Sequence, residues 1–147
     1  MAKNNNEISL GYALGRTNWY LKTLLNKLFK EEGLNITNEQ WVVLKVIYIN
    51  PALSQTEIAE KSLKDKTNIT RILDLLEKST WIERRKDDKD RRMNRILITK
   101  QGKKILKAVD PIVQKTNEIC THSLNKKEVK ELIKSLDTVC IGIKNEL

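Results

Sequence analysis

Cysteine, proline, histidine and glycine are all scarce in this chain. Its 147 residues include two cysteines, two prolines, one histidine and five glycines. Cys120 and Cys140 stand 20 residues apart, which matches neither a zinc-ligand spacing nor a Cys-x-x-Cys redox pair. We therefore expect buried thiols in a reducing compartment, not redox sensors.

The same scarcity argues against catalysis. His122 is the only histidine, and no Cys, Asp or Glu stands at ligand spacing from it apart from the distant Glu118. The chain has neither a glycine-rich phosphate loop nor the elbow that presents a nucleophilic serine. We predict that the protein is not an enzyme and holds no metal or cofactor.

Long apolar runs are also missing. No stretch approaches the roughly 18 apolar residues that a membrane helix needs. Residues 1–10 lack the apolar core of a signal peptide, so we expect a cytoplasmic protein. The length is that of one domain, and we predict a single domain over residues 1–147.

Positive charge is abundant and unevenly placed. The chain has 28 Lys and Arg against 19 Asp and Glu, a formal charge of +9. The segment from Lys64 to Lys104 alone holds 14 basic and 7 acidic residues. A basic face of this kind suits a polyanion, most often nucleic acid. The alternative is a generally basic solvated surface.

Three helix starts carry the sequence signature of a capping box with an apolar pair around it. The boxes are Thr37–Gln40, Ser54–Glu57 and Asn125–Glu128. Apolar spacing then predicts helices over residues 7–31, 38–49, 55–61, 66–79, about 100–122 and 126–147.

Two short alternating segments, Trp81–Lys86 and Asn94–Thr99, flank an aspartate-rich turn and predict a β-hairpin. The expected order is α-α-α-α-β-β-α-α. A helix pair with a short turn followed by a hairpin is typical of a winged helix-turn-helix. The predicted fold class is therefore mainly α with a small β-hairpin wing, and the predicted function is binding of double-stranded DNA.

The fourth helix is the candidate recognition helix. Ile69, Ile72, Leu73 and Leu76 share one face, so the opposite side must face outward. Side chains near the N-terminus of such a helix reach base edges and phosphates in the major groove. The candidates are Lys66, Thr67, Asn68, Thr70 and Arg71. The alternative is that the polar residues only cap the helix and cover a solvated face.

The tip of the hairpin carries a second set of candidate DNA-contacting residues. Asp90 could orient one guanidinium while Arg91 or Arg92 enters a narrow minor groove, where the negative potential favours arginine. The expected contacts to the DNA backbone come from Lys89, Arg84, Arg85 and Arg95. A tip of mixed charge could also be a merely solvated loop. The candidate DNA contacts further include Ser54, Gln55 and Thr56 at the start of the third helix.

These motifs resemble those of the MarR family of bacterial transcriptional regulators. The matching residues, in order, are Gln40 with Val43 and Leu44, then Ser54–Ala59, Asn68–Lys78, Asp90–Arg92, Ile96–Thr99 and Gly102. The resemblance implies a homodimer joined by helices within 7–31 and 100–147, with residues 36–99 as the DNA-binding region. It also implies a palindromic operator and a repressor released by a small effector.

One position departs from the family pattern. Where such proteins usually have a glycine at the end of the recognition helix, this chain has Ser79 and Thr80. We expect the helix to end there without a left-handed cap, with a local shift and no change of fold.

The apolar residues of the terminal helices support the dimer. Wide stripes on the first, fifth and sixth helices exceed what one small lobe can bury; the sixth contributes Leu132, Ile133, Leu136, Val139 and Ile143. A symmetric dimer would place two recognition helices about 34 Å apart, one turn of B-DNA.

An effector pocket for a small aromatic or anionic molecule is a further hypothesis. Its candidate lining is Tyr12, Arg16, Trp19, Trp41 and Tyr48, because an arginine among aromatic rings suits an aromatic carboxylate. The alternative is that these aromatic residues belong to the core. Relatives that sense oxidants use a cysteine near the N-terminus, which this chain lacks.

Two other functions remain open from the sequence. A non-specific architectural DNA-binding protein would use the same hairpin without sequence preference. A winged-helix protein-interaction module would turn its basic face to an acidic partner.

Overall fold

The computed structural model describes residues 8–147, which form six helices and one two-stranded antiparallel sheet. The helices are α1 (Leu10–Glu31), α2 (Asn38–Ile49), α3 (Gln55–Ser62), α4 (Lys66–Lys78), α5 (Lys100–Thr121) and α6 (Lys126–Lys144). The strands are β1 (Ile82–Lys86) and β2 (Asn94–Ile98). The predicted order and fold class are confirmed; the predicted start of α1 at Glu7 lies outside the described residues.

All three predicted capping boxes are present. At α2, for example, Thr37 Oγ1 accepts the Gln40 amide at 3.2 Å, and Gln40 Oε1 accepts the Thr37 amide at 2.9 Å. The same reciprocal bonds start α3 and α6. These caps satisfy amide donors that the helix itself cannot satisfy, and so fix where each helix begins.

The core lies among α1 to α5 and the hairpin. In α4, Ile69, Ile72, Leu73 and Leu76 are buried, which confirms the predicted inner face. They pack in a cluster that also contains buried apolar residues of α1, α2, α3, both strands and the first half of α5. This burial turns the opposite side of α4 to solvent.

The hairpin is attached to the helix pair along the outer edge of its second strand. Its register pairs Ile82 with Ile98 and Lys86 with Asn94. Leu53, just before α3, adds an antiparallel bridge to Ile96, whose amide donates to the Leu53 carbonyl at 2.9 Å. The bridge holds the strands against the helix pair.

The end of α4 differs from the prediction. Thr80 adopts a left-handed conformation with φ of 62°, and the amides of Thr80 and Trp81 donate to the carbonyls of Glu77 and Leu76 at 2.8 and 3.0 Å. This is a Schellman cap made without glycine. The prediction that the left-handed cap would be missing is therefore wrong, because the two hydrogen bonds offset the strain of a β-branched residue there.

The start of α5 packs closely against the base of the hairpin. A Cβ on Gly102 would lie 2.2 Å from the Trp81 carbonyl oxygen, so only glycine fits. Thr99 Oγ1 accepts the Gly102 amide at 3.1 Å and donates to the Thr80 carbonyl at 2.6 Å. Thr99 therefore caps the start of α5.

Close contacts divide the chain into two compact units, one ending at Val113 and the other Gln114–Leu147. In the second unit no residue of Lys126–Lys144 is buried, and Leu132, Ile133, Ile141 and Ile143 are at least half exposed. Cys120 and Cys140 are exposed as well, so the prediction of buried thiols is wrong for the single chain. None of the helices within residues 8–147 combines the length and hydropathy that a bilayer span requires.

Candidate nucleic-acid interface

The outward side of α4 presents the predicted polar residues. Lys66, Thr67, Thr70 and Arg71 are exposed, and Asn68 is half-buried. The four exposed residues border a shallow open groove that continues along Asp74, Leu75 and Lys78. The inner face of α4 fixes this orientation, because its buried apolar residues leave the helix only one way to lie.

A side-chain hydrogen bond joins α3 to α4 at this surface. Gln55 Nε2 donates to Thr70 Oγ1 at 2.6 Å, and the Thr70 hydroxyl donates to the Lys66 carbonyl at 2.9 Å. This bond holds Gln55 Nε2 on the Thr70 hydroxyl. Thr56 is exposed beside it.

Asp65 caps α4 and starts a chain of polar contacts along the helix. Its carboxylate accepts the Asn68 amide at 2.8 Å and Asn68 Nδ2 at 3.0 Å. Asn68 Oδ1 in turn accepts from Arg71 Nη2 at 3.5 Å. The hydrogen bond from the Asn68 backbone lowers the pKa of Asp65, so this carboxylate stays ionised. Sequence analysis missed Asp65, although an aspartate just before a helix is a strong capping signal.

The hairpin tip is organised by Asp87. Its Oδ1 accepts the amides of Lys89 and Asp90 at 2.8 and 2.9 Å, and its Oδ2 accepts from Arg95 Nε at 2.5 Å. Sequence analysis missed this residue too; the signal was an aspartate opening a turn, where its side chain bonds the backbone two residues on.

Asp90 has a different role from the predicted one. It accepts the Arg92 backbone amide at 3.0 Å through its carboxylate and the Met93 amide at 2.9 Å through its carbonyl. Among the ion pairs of residues 8–147, none joins Asp90 to Arg91 or Arg92. Asp90 therefore shapes the turn through the backbone, and Lys89, Arg91 and Arg92 are exposed at the tip.

Arg84 is engaged inside the protein. It pairs with Glu77 and, at 2.6 Å, with Asp74, and its side chain is 21% exposed. These partners lie on α4, so Arg84 neutralises two carboxylates beside the outward face. Hydrogen bonds and charge from both acids raise the pKa of Arg84 against the opposing effect of desolvation, which is the largest single contribution.

Arg95 and Ser54 are likewise engaged. Arg95 pairs with Asp87 and contacts Glu57 at 3.5 Å, which ties the hairpin to the start of α3. Ser54 is buried, and its hydroxyl accepts the Glu57 amide in the capping box. Arg85, at the outer end of β1, pairs with Glu83 at 2.5 Å and stays exposed.

The proposed effector residues lie on two helices. On α1, Arg16 lies 5.6 Å from the Tyr12 ring centroid, and Trp19 packs edge to face on Tyr20. On α2, Lys45 lies 5.8 Å from the Tyr48 ring centroid. Among the ring contacts within residues 8–147, none joins the α1 group to the α2 group. Tyr12, Trp19 and Tyr48 are exposed, so the alternative that these three belong to the core of the single chain is wrong.

Trp41 is the exception among these aromatic residues. It packs against the core, and its indole Nε1 is buried without a hydrogen-bond partner in the part of the chain that the structure describes. A buried unpaired donor costs about 1–3 kcal/mol.

A helix pair whose second helix turns a polar face outward, followed by a hairpin with three exposed cations at its tip, defines a winged helix-turn-helix protein. A sequence profile of the MarR family matches residues 36–93. The chain belongs to the MarR family.

Relatives support this assignment. The transcriptional repressor MprA of Escherichia coli K12 is 34% identical over 99 residues, which cover 67% of this chain and 54% of MprA. The chain thus matches about half the length of that relative. The crystal structure of apo MarR from E. coli is 27% identical, with a TM-score of 0.78 over 91% of this chain and 98% of MarR. The repressor CouR, bound to a 23-mer DNA duplex, is 26% identical, with a TM-score of 0.83 over 90% of this chain and 92% of CouR.

Proposed function

We propose that this protein is a homodimeric, sequence-specific regulator that binds double-stranded DNA. The observation that carries the proposal is that some basic residues are paired within the protein and others are exposed. Arg84 and Arg95 are held by carboxylates of the protein, whereas Arg91, Arg92 and Lys89 at the hairpin tip are exposed. Exposed cations can meet phosphates without first breaking an internal pair.

Within this proposal, α4 enters the major groove and the hairpin lies along the neighbouring minor groove and backbone. The base-reading and phosphate contacts come from Gln55, Thr56, Lys66, Thr67, Asn68, Thr70 and Arg71 on the helices, and from Lys89, Arg91 and Arg92 on the hairpin. Ser54, Arg84 and Arg95 instead hold the helices and the hairpin in position. The similar repressor CouR is bound to a 23-mer DNA duplex, which supports DNA binding by this chain.

The homodimer is supported by the exposed apolar side chains of α6. Leu132, Ile133 and Ile143 lie within about 100° of one another around the helix and are each at least half exposed, and exposed apolar side chains grouped in this way call for a partner. A second copy supplies a self-complementary face and two recognition helices, which fit a palindromic operator.

Repression by this protein is proposed from its similarity to MprA, a transcriptional repressor. Release by a small aromatic or anionic effector is proposed from Arg16 beside Tyr12 and from the unpaired indole N–H of Trp41. An anionic or carbonyl group could accept that hydrogen bond.

Selection of bound duplexes from random DNA, followed by sequencing, tests the function. An enriched inverted repeat supports a sequence-specific dimer. Binding without enrichment indicates the architectural alternative, and absence of binding indicates a protein-interaction module. Affinity for a selected duplex should fall by roughly 10³ or more between 50 and 200 mM salt if six or more phosphates are contacted.

A further inference from the structure

Glu39, in the first turn of α2, is the meeting point of three cations from separate parts of the chain. Its Oε1 lies 3.0 Å from Lys64 Nζ and 3.8 Å from Lys22 Nζ, and its Oε2 lies 3.8 Å from Arg71 Nη2. Lys22 belongs to α1, Lys64 to the turn before α4, and Arg71 to α4 itself. One carboxylate therefore connects the recognition helix to two elements behind it.

Lys64 anchors the carboxylate. Its side chain is 16% exposed, whereas that of Arg71 is 60% exposed. The hydrogen bond from Lys64 is the main reason why the pKa of Glu39 is lowered, so the group is ionised at neutral pH. Glu39 thus presents a fixed negative charge to the exposed Arg71.

Arg71 is approached by two partners through the same nitrogen. Nη2 lies within reach of both Glu39 Oε2 and Asn68 Oδ1, and Asn68 is itself held by Asp65. Among the contacts recorded for residues 8–147, none uses Arg71 Nε or Nη1. Contacts at this one nitrogen restrict the guanidinium and leave its other N–H donors available.

Resting on the proposed function, we propose that Glu39 is a positioning residue that makes Arg71 select guanine. Arginine reads guanine by donating two parallel hydrogen bonds to O6 and N7. A free arginine side chain loses rotamer entropy when it is fixed on a base. Glu39 removes part of that loss before DNA arrives. Its negative charge also weakens contact with phosphate, so it lowers affinity for unrelated DNA while it favours the correct base.

The variant Glu39→Gln tests the inference because it removes the charge and keeps the shape. Base preference is measured by selection from random duplexes, and affinity by competition between the selected duplex and unrelated DNA. We expect the preference for guanine at one position in each half-site to fall about five- to tenfold. We also expect affinity for unrelated DNA to rise. The matched control is Glu31→Gln, which makes the same charge change at the end of α1 and should leave base preference unaltered.

Two further variants separate positioning from a purely structural effect. Glu39→Asp keeps the charge but withdraws the oxygens from Arg71, so it should lose guanine preference without gaining affinity for unrelated DNA. In an Arg71→Met background, Glu39→Gln should have no further effect on base preference. Thermal unfolding of each variant identifies any loss of base preference that comes from misfolding. If Glu39→Gln misfolds, the result for Glu39→Asp decides.

The outcomes are distinguishable from those that test the function itself. If the unaltered protein selects no sequence, the proposed function fails. If it selects an inverted repeat and Glu39→Gln retains the same guanine preference, the function stands and the inference about Glu39 is overturned.

Discussion

Asp87 and Arg95 form an ion pair across the hairpin, with 2.5 Å between Oδ2 of the aspartate and Nε of the arginine. The other carboxylate oxygen of Asp87 accepts two backbone amides of the turn. The hydrogen bond from Arg95, followed by those from the Asp90 and Lys89 amides, lowers the pKa of Asp87 from 3.8 to about 2. The geometry of the tip therefore depends on an ionised Asp87.

The first prediction concerns the stability of the protein at acidic pH. A carboxylate whose pKa is lower in the folded state stabilises the fold above its unfolded pKa, and the contribution is lost as pH falls through the folded value. The stability advantage of the unaltered protein over Asp87→Asn should therefore be full at neutral pH and shrink between about pH 4 and pH 2. Urea unfolding at several pH values measures it. Asp88→Asn, at the neighbouring exposed aspartate, is the control for the loss of one carboxylate at the tip. A difference for Asp87→Asn that stays constant with pH would contradict the prediction.

The second prediction separates two arginines of the hairpin. Arg84→Met should lower the free energy of unfolding by about 1 kcal/mol, because Asp74 and Glu77 lose their partner. It should leave the salt dependence of DNA binding unchanged. Arg92→Ala should do the opposite, with stability within about 0.5 kcal/mol of the unaltered protein and a salt slope reduced by about 1. Chemical unfolding and binding across a salt series provide both measurements; a reduced slope in Arg84→Met would place that side chain on phosphate.

The third prediction concerns the left-handed cap. Thr80→Gly should stabilise the protein by about 0.5–1 kcal/mol, because the cost of a β-branched residue at φ of 62° exceeds the entropy that glycine adds to the unfolded chain. The matched control is Ser79→Gly, one residue earlier, where φ is −77° and glycine has no strain to relieve. Ser79→Gly should destabilise. Thermal unfolding compares them, and equal shifts for both variants would refute the strain at Thr80.

The fourth prediction concerns α6. Leu132→Asp places a charge on the proposed apolar dimer face and should raise the dimer dissociation constant by about 100-fold or more. Lys130→Asp, at an exposed position two residues earlier, is the control for negative charge on the same helix. Analytical ultracentrifugation measures both. A protein that sediments as a single chain before any substitution would overturn the dimer.

Much of the fold could be predicted from the sequence because its helix starts depend on local chemistry. Thr37, Ser54 and Asn125 each stand three residues before a side chain that returns the hydrogen bond, and no distant contact is needed to fix them. The cap at Thr80 could not be predicted in this way. It depends on hydrogen bonds that form once Trp81 turns into the hairpin.

The candidate site was predictable in composition but not in the pairing of its charges. Exposed Arg71 and Arg92 follow from the apolar period of α4 and from the turn. Arg84 pairs with Asp74 and Glu77 because of the way the first strand crosses α4. The positions of the basic residues in the sequence do not predict that crossing. Glu39 was missed for the same reason, because Lys64 and Arg71 lie 25 and 32 residues further along the chain.

The hydroxyl of Thr99 joins the end of α4 to the start of α5. Its oxygen bonds the carbonyl that follows α4 and the amide in the first turn of α5. Rotation of the first turn of α5 would stretch one of these two bonds unless Thr80 moved with it. A displacement at the start of α5 is thus coupled to the end of α4 by this oxygen as well as by the close approach of Gly102 to Trp81.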